Sequence, residues 1–192
     1  MSPAPPRDTL LWDHRPENEV TADLHHALHR LLRESFPYTT DQFTEGRSWA
    51  GARPERRVTA WRDGRPVAHA GILRRFLRVG DRDQLVGEVG LVAVAPDHQG
   101  TGVGRLLAER IEECLTGLDV PFGYLNCHDS VLGYYQSVGW HRLEGVATRH
   151  YEPEDELTAV VTTAHPLILP VGLRSGADWP TGSTVERDGS EL

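Results

Sequence analysis

The sequence predicts an α/β protein of the α+β kind: a mixed, mostly antiparallel central sheet of about six to seven strands flanked by helices. Three observations carry that expectation. Three alternating apolar segments follow one another with tight turns between them, which makes a meander rather than a series of βαβ units. A strand then runs through a proline into a glycine-rich turn and a strongly amphipathic helix. Finally, 192 residues with 39% hydrophobic side chains suffice for the core of one ordinary domain.

In chain order, residues 1–17 carry four prolines and are expected to form an extended arm. The folded domain is expected over 18–169, with 170–192 as an irregular tail packed on it. From Asn18 a helical period places Val20, Leu24, Leu28, Leu31 and Leu32 on one face, until Pro37 stops it. The polar stretch Tyr38–Pro54 has no period, and so long a connection inside a compact domain is usually functional. Arg57–Arg62, Pro66–Val79 and Gln84–Ala95 form the meander, turning at Asp63-Gly64 and Gly80-Asp81. Gly102–Thr116 is the amphipathic helix, with Val103, Leu107, Ile111 and Leu115 on one stripe and Gly117 capping it. Val120–Cys127 reads as a buried strand, and Asp129 caps a short helix through Ser137. Strands Gly145–Tyr151 and Leu157–Leu169 complete the set.

Charge removes several function classes. All 20 basic residues are Arg, and against 28 Asp and Glu the formal charge is −8. Such a chain is poorly suited to grip nucleic acid or an anionic membrane, and a cationic partner fits it better. Without lysine there is neither Schiff-base chemistry nor a Walker-type phosphate loop. Cys114 and Cys127 make no disulfide framework. With no apolar leader and no apolar run of membrane length, a soluble, cytoplasmic protein is expected. His25 and His29 lie four apart on a helix, but no third ligand suggests itself, so a solvated face and no metal are expected.

The chemistry is concentrated in Leu91–Arg105. Here a strand ends at Pro96, and Gln99-Gly100-Thr101-Gly102-Val103-Gly104 opens the helix. Glycines let successive backbone N–H groups point into one concavity, and the helix end adds partial positive charge, so the turn suits a pyrophosphate. A dinucleotide site uses the same physics with G-x-G-x-x-G spacing after the first strand of a βαβ repeat; the spacing here is G-x-G-x-G after a meander. About thirty residues on comes Tyr134-Tyr135-Gln136-Ser137-Val138-Gly139-Trp140.

Together these two segments resemble the motifs of the GCN5-related N-acetyltransferase (GNAT) superfamily. Gln99, Gly102 and Gly104 match its Q/R-x-x-G-x-G/A loop; Tyr135, Gly139 and Trp140 match its Y-x-x-x-G-F/W. The resemblance implies a GNAT fold and an acetyl-CoA cofactor. It places the pyrophosphate on Gln99, Gly100, Thr101, Gly102, Val103, Gly104 and Arg105, and the pantetheine along the backbone of Val92, Ala93 and Val94. From about Arg47 onward the chain further resembles the nodulation protein A family, through Gly46–Arg57, Val67–Val79, Val120-Pro121-Phe122 and Leu169–Leu192. That family N-acylates a chitooligosaccharide amine. The VAHA strand, the Y-x-S-x-G-W end and Asp178-Trp179 also resemble aminoglycoside 2′-N-acetyltransferases. The chain departs from the nodulation pattern in keeping a complete phosphate loop where that family's is degraded, which implies an acyl-CoA donor rather than an acyl carrier protein.

Amine acylation needs a base and an acid. By resemblance Tyr135 is the acid for the departing thiolate, with Tyr134 as its competitor. Glu88 is the one carboxylate within the apolar strand Leu85–Ala95, where it is costly unless partnered or used, so it is the candidate base; the resemblance to the aminoglycoside enzymes implies that it acts through water. The alternative is a structural pair with Arg74 or Arg75. Cys127-His128-Asp129 holds triad residue types, but neighbours at a strand end point in alternate directions, so no nucleophilic triad is expected. On the acceptor side, Thr39–Arg53 and the tail supply Asp41, Glu45 and Asp178 for a protonated amine. Trp49 and Trp179 would stack on sugars, although Trp179 fits a cover on the core edge slightly better, and His69 either lines the cleft or is a satisfied core histidine. The expected reaction is acetyl transfer to a cationic amino sugar or aminoglycoside; the alternative is nodulation-type transfer of a longer acyl chain to a chitooligosaccharide-like amine. A homodimer is left open.

Overall fold

A computed structural model describes residues 10–152, 155–162 and 164–192; residues 1–9 of the expected arm lie outside the described residues. Ten strands form one sheet: β1 (Leu11–Pro16), β2 (Arg56–Arg62), β3 (Arg65–Val79), β4 (Arg82–Val94), β5 (Phe122–Cys127), β6 (His141–Arg142), β7 (Ala147–Glu152), β8 (Asp155–Thr162), β9 (His165–Pro170) and β10 (Thr184–Arg187). Among the described residues three α-helices accompany them: α1 (Ala22–Ser35), α2 (Val103–Gly117) and α3 (Asp129–Ser137). The main path of the sheet is β6-β9-β5-β4-β3-β10-β7-β8. β3 is long enough to serve two neighbours on one edge: its first half pairs with β2 and its end with β10. β1 closes the β2 edge.

The strand count exceeds the expected six to seven for identifiable reasons. The arm's Leu11–Pro16 is an antiparallel partner of β2. The single strand expected over Leu157–Leu169 is two: β8 ends the sheet path, and β9 lies next to β6 at the other end. In the tail, four residues form β10, too short to show alternation. α1 starts at Ala22, where the Thr21 side chain accepts from the Leu24 amide. The N-cap of α3 is His128 without a side-chain bond, rather than Asp129.

Two cores result. Leu31 and Leu32 of α1 and Val103, Leu107, Ile111 and Leu115 of α2 pack with β2, β3 and β4 into the larger one. Each such buried side chain contributes about 2 kcal/mol. The smaller core, with Leu77, Val79, Val86, Phe122, Tyr124, Ile168, Trp179 and Val185, fills the part of the sheet that β10 adds.

Candidate active site

The site begins where β4 parts from β5. These parallel strands pair only at Gly87–Gly123 and Glu88–Tyr124 among the described residues. Leu115 of α2 fills the space of the missing side chains at that point: a Cβ on Gly87 or Gly123 would meet it at 2.2 or 2.8 Å. Beyond this pivot β4 carries a bulge, where the register with β3 shifts between His69 and Gly71 and Leu91 takes a φ of 54°. A left-handed leucine costs on the order of 1–3 kcal/mol and persists only where neighbours over-determine it. Beyond the bulge Ala93 and Val94 pair with β3 on one side, and Val92, Ala93 and Val94 have no pairing with β5 on the other among the described residues.

Past the cleft, the Gln99–Gly104 turn enters α2. Gly100 and Gly102 have φ of 73° and 92°, conformations that glycine adopts freely. Gln99 Nε2 donates to the Val94 carbonyl and Thr101 Oγ1 to that of His98, which fixes the turn against the end of β4. The first turn of α2 contains no acidic side chain, so no carboxylate of that turn offsets its positive end.

The two adjacent tyrosines of α3 have different duties. Tyr134 donates its hydroxyl to the Gly104 carbonyl at 2.8 Å, and its ring lies 3.3 Å from where a Gly104 Cβ would be. It therefore docks α3 onto the start of α2. Tyr135 packs against Trp140 and Tyr134, and its hydroxyl makes no hydrogen bond among the described residues. Burial holds its phenol well above the ordinary range, so it stays protonated.

On the face of β4 turned from Leu115 sits Glu88, 3% exposed. Its Oε1 lies 2.8 Å from Arg187 Nε and its Oε2 3.0 Å from Arg75 Nε, both ion contacts in which neither Arg187 Nε nor Glu88 Oε2 makes a hydrogen bond. Burial raises the carboxyl above its ordinary range, and Arg187 and Arg75 pull it back in part. The expected arginine alternatives resolve to Arg75, since Arg74 pairs with Glu55. The tail crosses above this carboxylate. Arg75 donates to the Ser190 carbonyl, Asn126 and Arg187 to the Glu191 side chain, and the Ala52 amide to the Glu191 carbonyl. Leu192 lies over Gly71 and Gly90. Next to this cluster opens a groove of about 740 Å3, lined by Arg75, Phe76, Arg149, Tyr151, Glu186 and Arg187 among others, within the size range of small-molecule sites.

Several expected acceptor residues lie elsewhere. Asp178 closes a capping box with Ser175. Trp179 is buried, stacked on Tyr124 and edge-on to Phe122, so its faces are taken. His69 is fully buried and lines no cleft. Asp41 and Glu45 are exposed on the α1–β2 connection, and Trp49 is half-buried with the Arg53 guanidinium 4.3 Å above its ring. His25 and His29, expected on a solvated face, instead staple that connection, His25 Nδ1 to Ser48 Oγ and His29 Nδ1 to the Arg47 carbonyl. Arg57, Arg187 and Glu191 were not expected at all; arginine is ordinarily a surface residue, and their partners are remote in sequence.

Comparison with known proteins agrees with this geometry. The family described as "Nodulation protein A (NodA)" matches residues 7–192. The nodulation protein A of Rhizobium tropici is 34% identical over 97% of this chain and 100% of its own length. That of Rhizobium meliloti strain 1021 is 37% identical over 95% and 96%. Among solved structures, the GNAT-family N-acetyltransferase YhbS of Escherichia coli, in complex with CoA, superposes with a TM-score of 0.59 at 18% identity, covering 93% of this chain and 90% of its own. An acyl-CoA N-acyltransferase from Pseudomonas aeruginosa gives 0.58 at 20% identity, covering 84% and 99%. The fold is that of the GNAT proteins.

Proposed function

Since the chain belongs to the nodulation protein A family and is an N-acyltransferase, we propose that it moves an acyl group from an acyl-CoA to an amine of a chitooligosaccharide-like sugar. The observation that carries the donor half is the cleft: β4 diverges from β5 at the Leu91 bulge and leads straight into an intact Gln99–Gly104 turn. In this reading the turn's amides and the α2 end hold the pyrophosphate, and Val92–Val94 offer backbone groups to the pantetheine arm.

The acceptor half rests on the groove beside Arg75 and Arg187. Its walls alternate paired charges with Phe76 and Tyr151, a lining suited to the hydroxyls and apolar faces of sugars. The relatives are nodulation proteins, which favours the chitooligosaccharide and a longer acyl chain over acetyl transfer to an aminoglycoside. Glu88 takes the amine proton through water, and Tyr135 protonates the leaving thiolate. Ion contacts with Arg75 and Arg187 favour a second role for Glu88, as the carboxylate that holds these two guanidinia in place.

Free-thiol release tests the proposal, with acetyl-CoA and long-chain acyl-CoA as donors and chitooligosaccharides bearing a free amine or aminoglycosides as acceptors. Fastest release with a long-chain donor and a chitooligosaccharide supports it; turnover with aminoglycosides alone overturns it. Glu88→Gln separates the two roles. As a base its loss lowers turnover by about 10²-fold or more at unchanged melting temperature, whereas a holding role lowers the melting temperature with little change in the turnover of folded protein.

A further inference from the structure

We infer that His69 and Arg57 are positioning residues that set the width of the donor cleft, by clamping the carbonyl of the β4 bulge from the far side of the sheet. A line of side chains crosses four elements. Glu17, in the 3-10 turn Glu17–Glu19, accepts from Arg57 Nε at 2.6 Å and Nη2 at 3.2 Å. Arg57 Nη1 reaches the Ser48 carbonyl at 3.1 Å and His69 Nε2 at 3.2 Å. His69 Nδ1 lies 2.9 Å from the carbonyl oxygen of Leu91. Arg57 and His69 are 1% and 0% exposed.

The chemistry of the line is directional. A guanidinium has only donors, so His69 Nε2 must accept and the ring proton sits on Nδ1. That N–H therefore donates to Leu91, the one residue of β4 with positive φ. Burial and the neighbouring Arg57 charge push the imidazole's pKa down to about 3, so the tautomer is the same throughout the working pH range. Leu91 is where β4 turns out of register with β3, and the turn decides how far Val92–Val94 stand from β5. Through the Ser48 carbonyl the same guanidinium also holds the α1–β2 connection. No residue of this line touches the reacting atoms; its effect passes through the backbone of Leu91.

The inference rests on reading the cleft as the donor site, and two readouts keep the failures apart. Amide hydrogen exchange on the unliganded protein tests the clamp alone. His69→Leu should speed exchange at Gly90–Val94 by about tenfold, the value of one buried hydrogen bond, with Leu85–Glu88 unchanged. Calorimetric titration with CoA tests the consequence. The same variant should bind CoA about tenfold more weakly, and with an acyl-CoA donor KM should rise by a similar factor with the acceptor KM unmoved. His69→Asn keeps a donor near the Nδ1 position and should restore most of the affinity. If His69→Leu does not fold, Glu17→Gln and Arg57→Lys take its place, since lysine cannot serve Glu17, Ser48 and His69 at once. Unchanged exchange at Gly90–Val94 overturns the clamp. Faster exchange with unchanged CoA affinity overturns its link to the donor, and absence of CoA binding by the unaltered protein instead overturns the donor-site reading.

Discussion

Replacing each of the two adjacent tyrosines by phenylalanine separates catalysis from packing at a single turn of helix. Each substitution removes one oxygen. At Tyr134 that oxygen donates to the Gly104 carbonyl at 2.8 Å, a half-buried neutral bond worth about 0.5–1.5 kcal/mol. Tyr134→Phe should therefore lower stability by about 1 kcal/mol and loosen α3 on α2, with kcat close to that of the unaltered enzyme. At Tyr135 the hydroxyl bonds to nothing in the described chain, so Tyr135→Phe should change stability by no more than about 0.5 kcal/mol. As general acid, however, the lost hydroxyl should reduce kcat by about 10²- to 10⁴-fold. Because burial raises the phenol's pKa, no alkaline limb from this group enters the rate profile near neutrality. Thermal unfolding supplies the stability and thiol release at saturating donor supplies kcat. The reasoning is refuted if Tyr135→Phe turns over normally, or if Tyr134→Phe is the variant that loses turnover.

Three further outcomes follow from the same geometry. Gly102→Ala meets no atom within 4 Å but must hold a φ of +92°, so it should cost about 1–2 kcal/mol and raise donor KM while sparing acceptor KM. Arg187→Met leaves Glu88 and Glu191 without their shared guanidinium, and denaturant titration should show a loss of about 3–5 kcal/mol. Acid unfolding should reveal His69. Its pKa falls from 6.5 to about 3 on folding, so the unfolded chain alone takes up its proton as pH drops below 6.5, and stability declines from there towards pH 3. The total is roughly 4–5 kcal/mol at about 1.4 kcal/mol per pH unit; His69→Asn should flatten that slope.

The parts legible in the sequence are those whose periodicity is long. β2, β3 and β4 with their turns, α2 behind its glycines, and α3 before Gly139 lie within a few residues of their expected places. β1 and β10 are too short for alternation to register, and β8 and β9 run together because Thr162 and His165 lie in one stretch without a glycine or proline between them. At the site, the phosphate turn is readable because glycines at that spacing have few other uses. For Trp179 the sequence leaves a core cover and a sugar platform both open, because an aromatic ring serves either, and the structure has it in the core. The Glu17–Arg57–His69 line is invisible in the sequence, and of the Arg75–Glu88–Arg187 cluster only the Arg75 pairing is legible, because the other partners come from separate, distant elements.

The overall charge of −8 proves compatible with a cofactor anion, because the expected grip on pyrophosphate is a helix end and backbone amides rather than basic side chains. The measurement that bears most directly on the account is the mass of the acceptor after incubation with a long-chain acyl-CoA and a chitooligosaccharide carrying one free amine. The account predicts one acyl group on that nitrogen and one free thiol per transfer, both lost in Tyr135→Phe. An acceptor of unchanged mass after incubation with folded enzyme that binds CoA would contradict it.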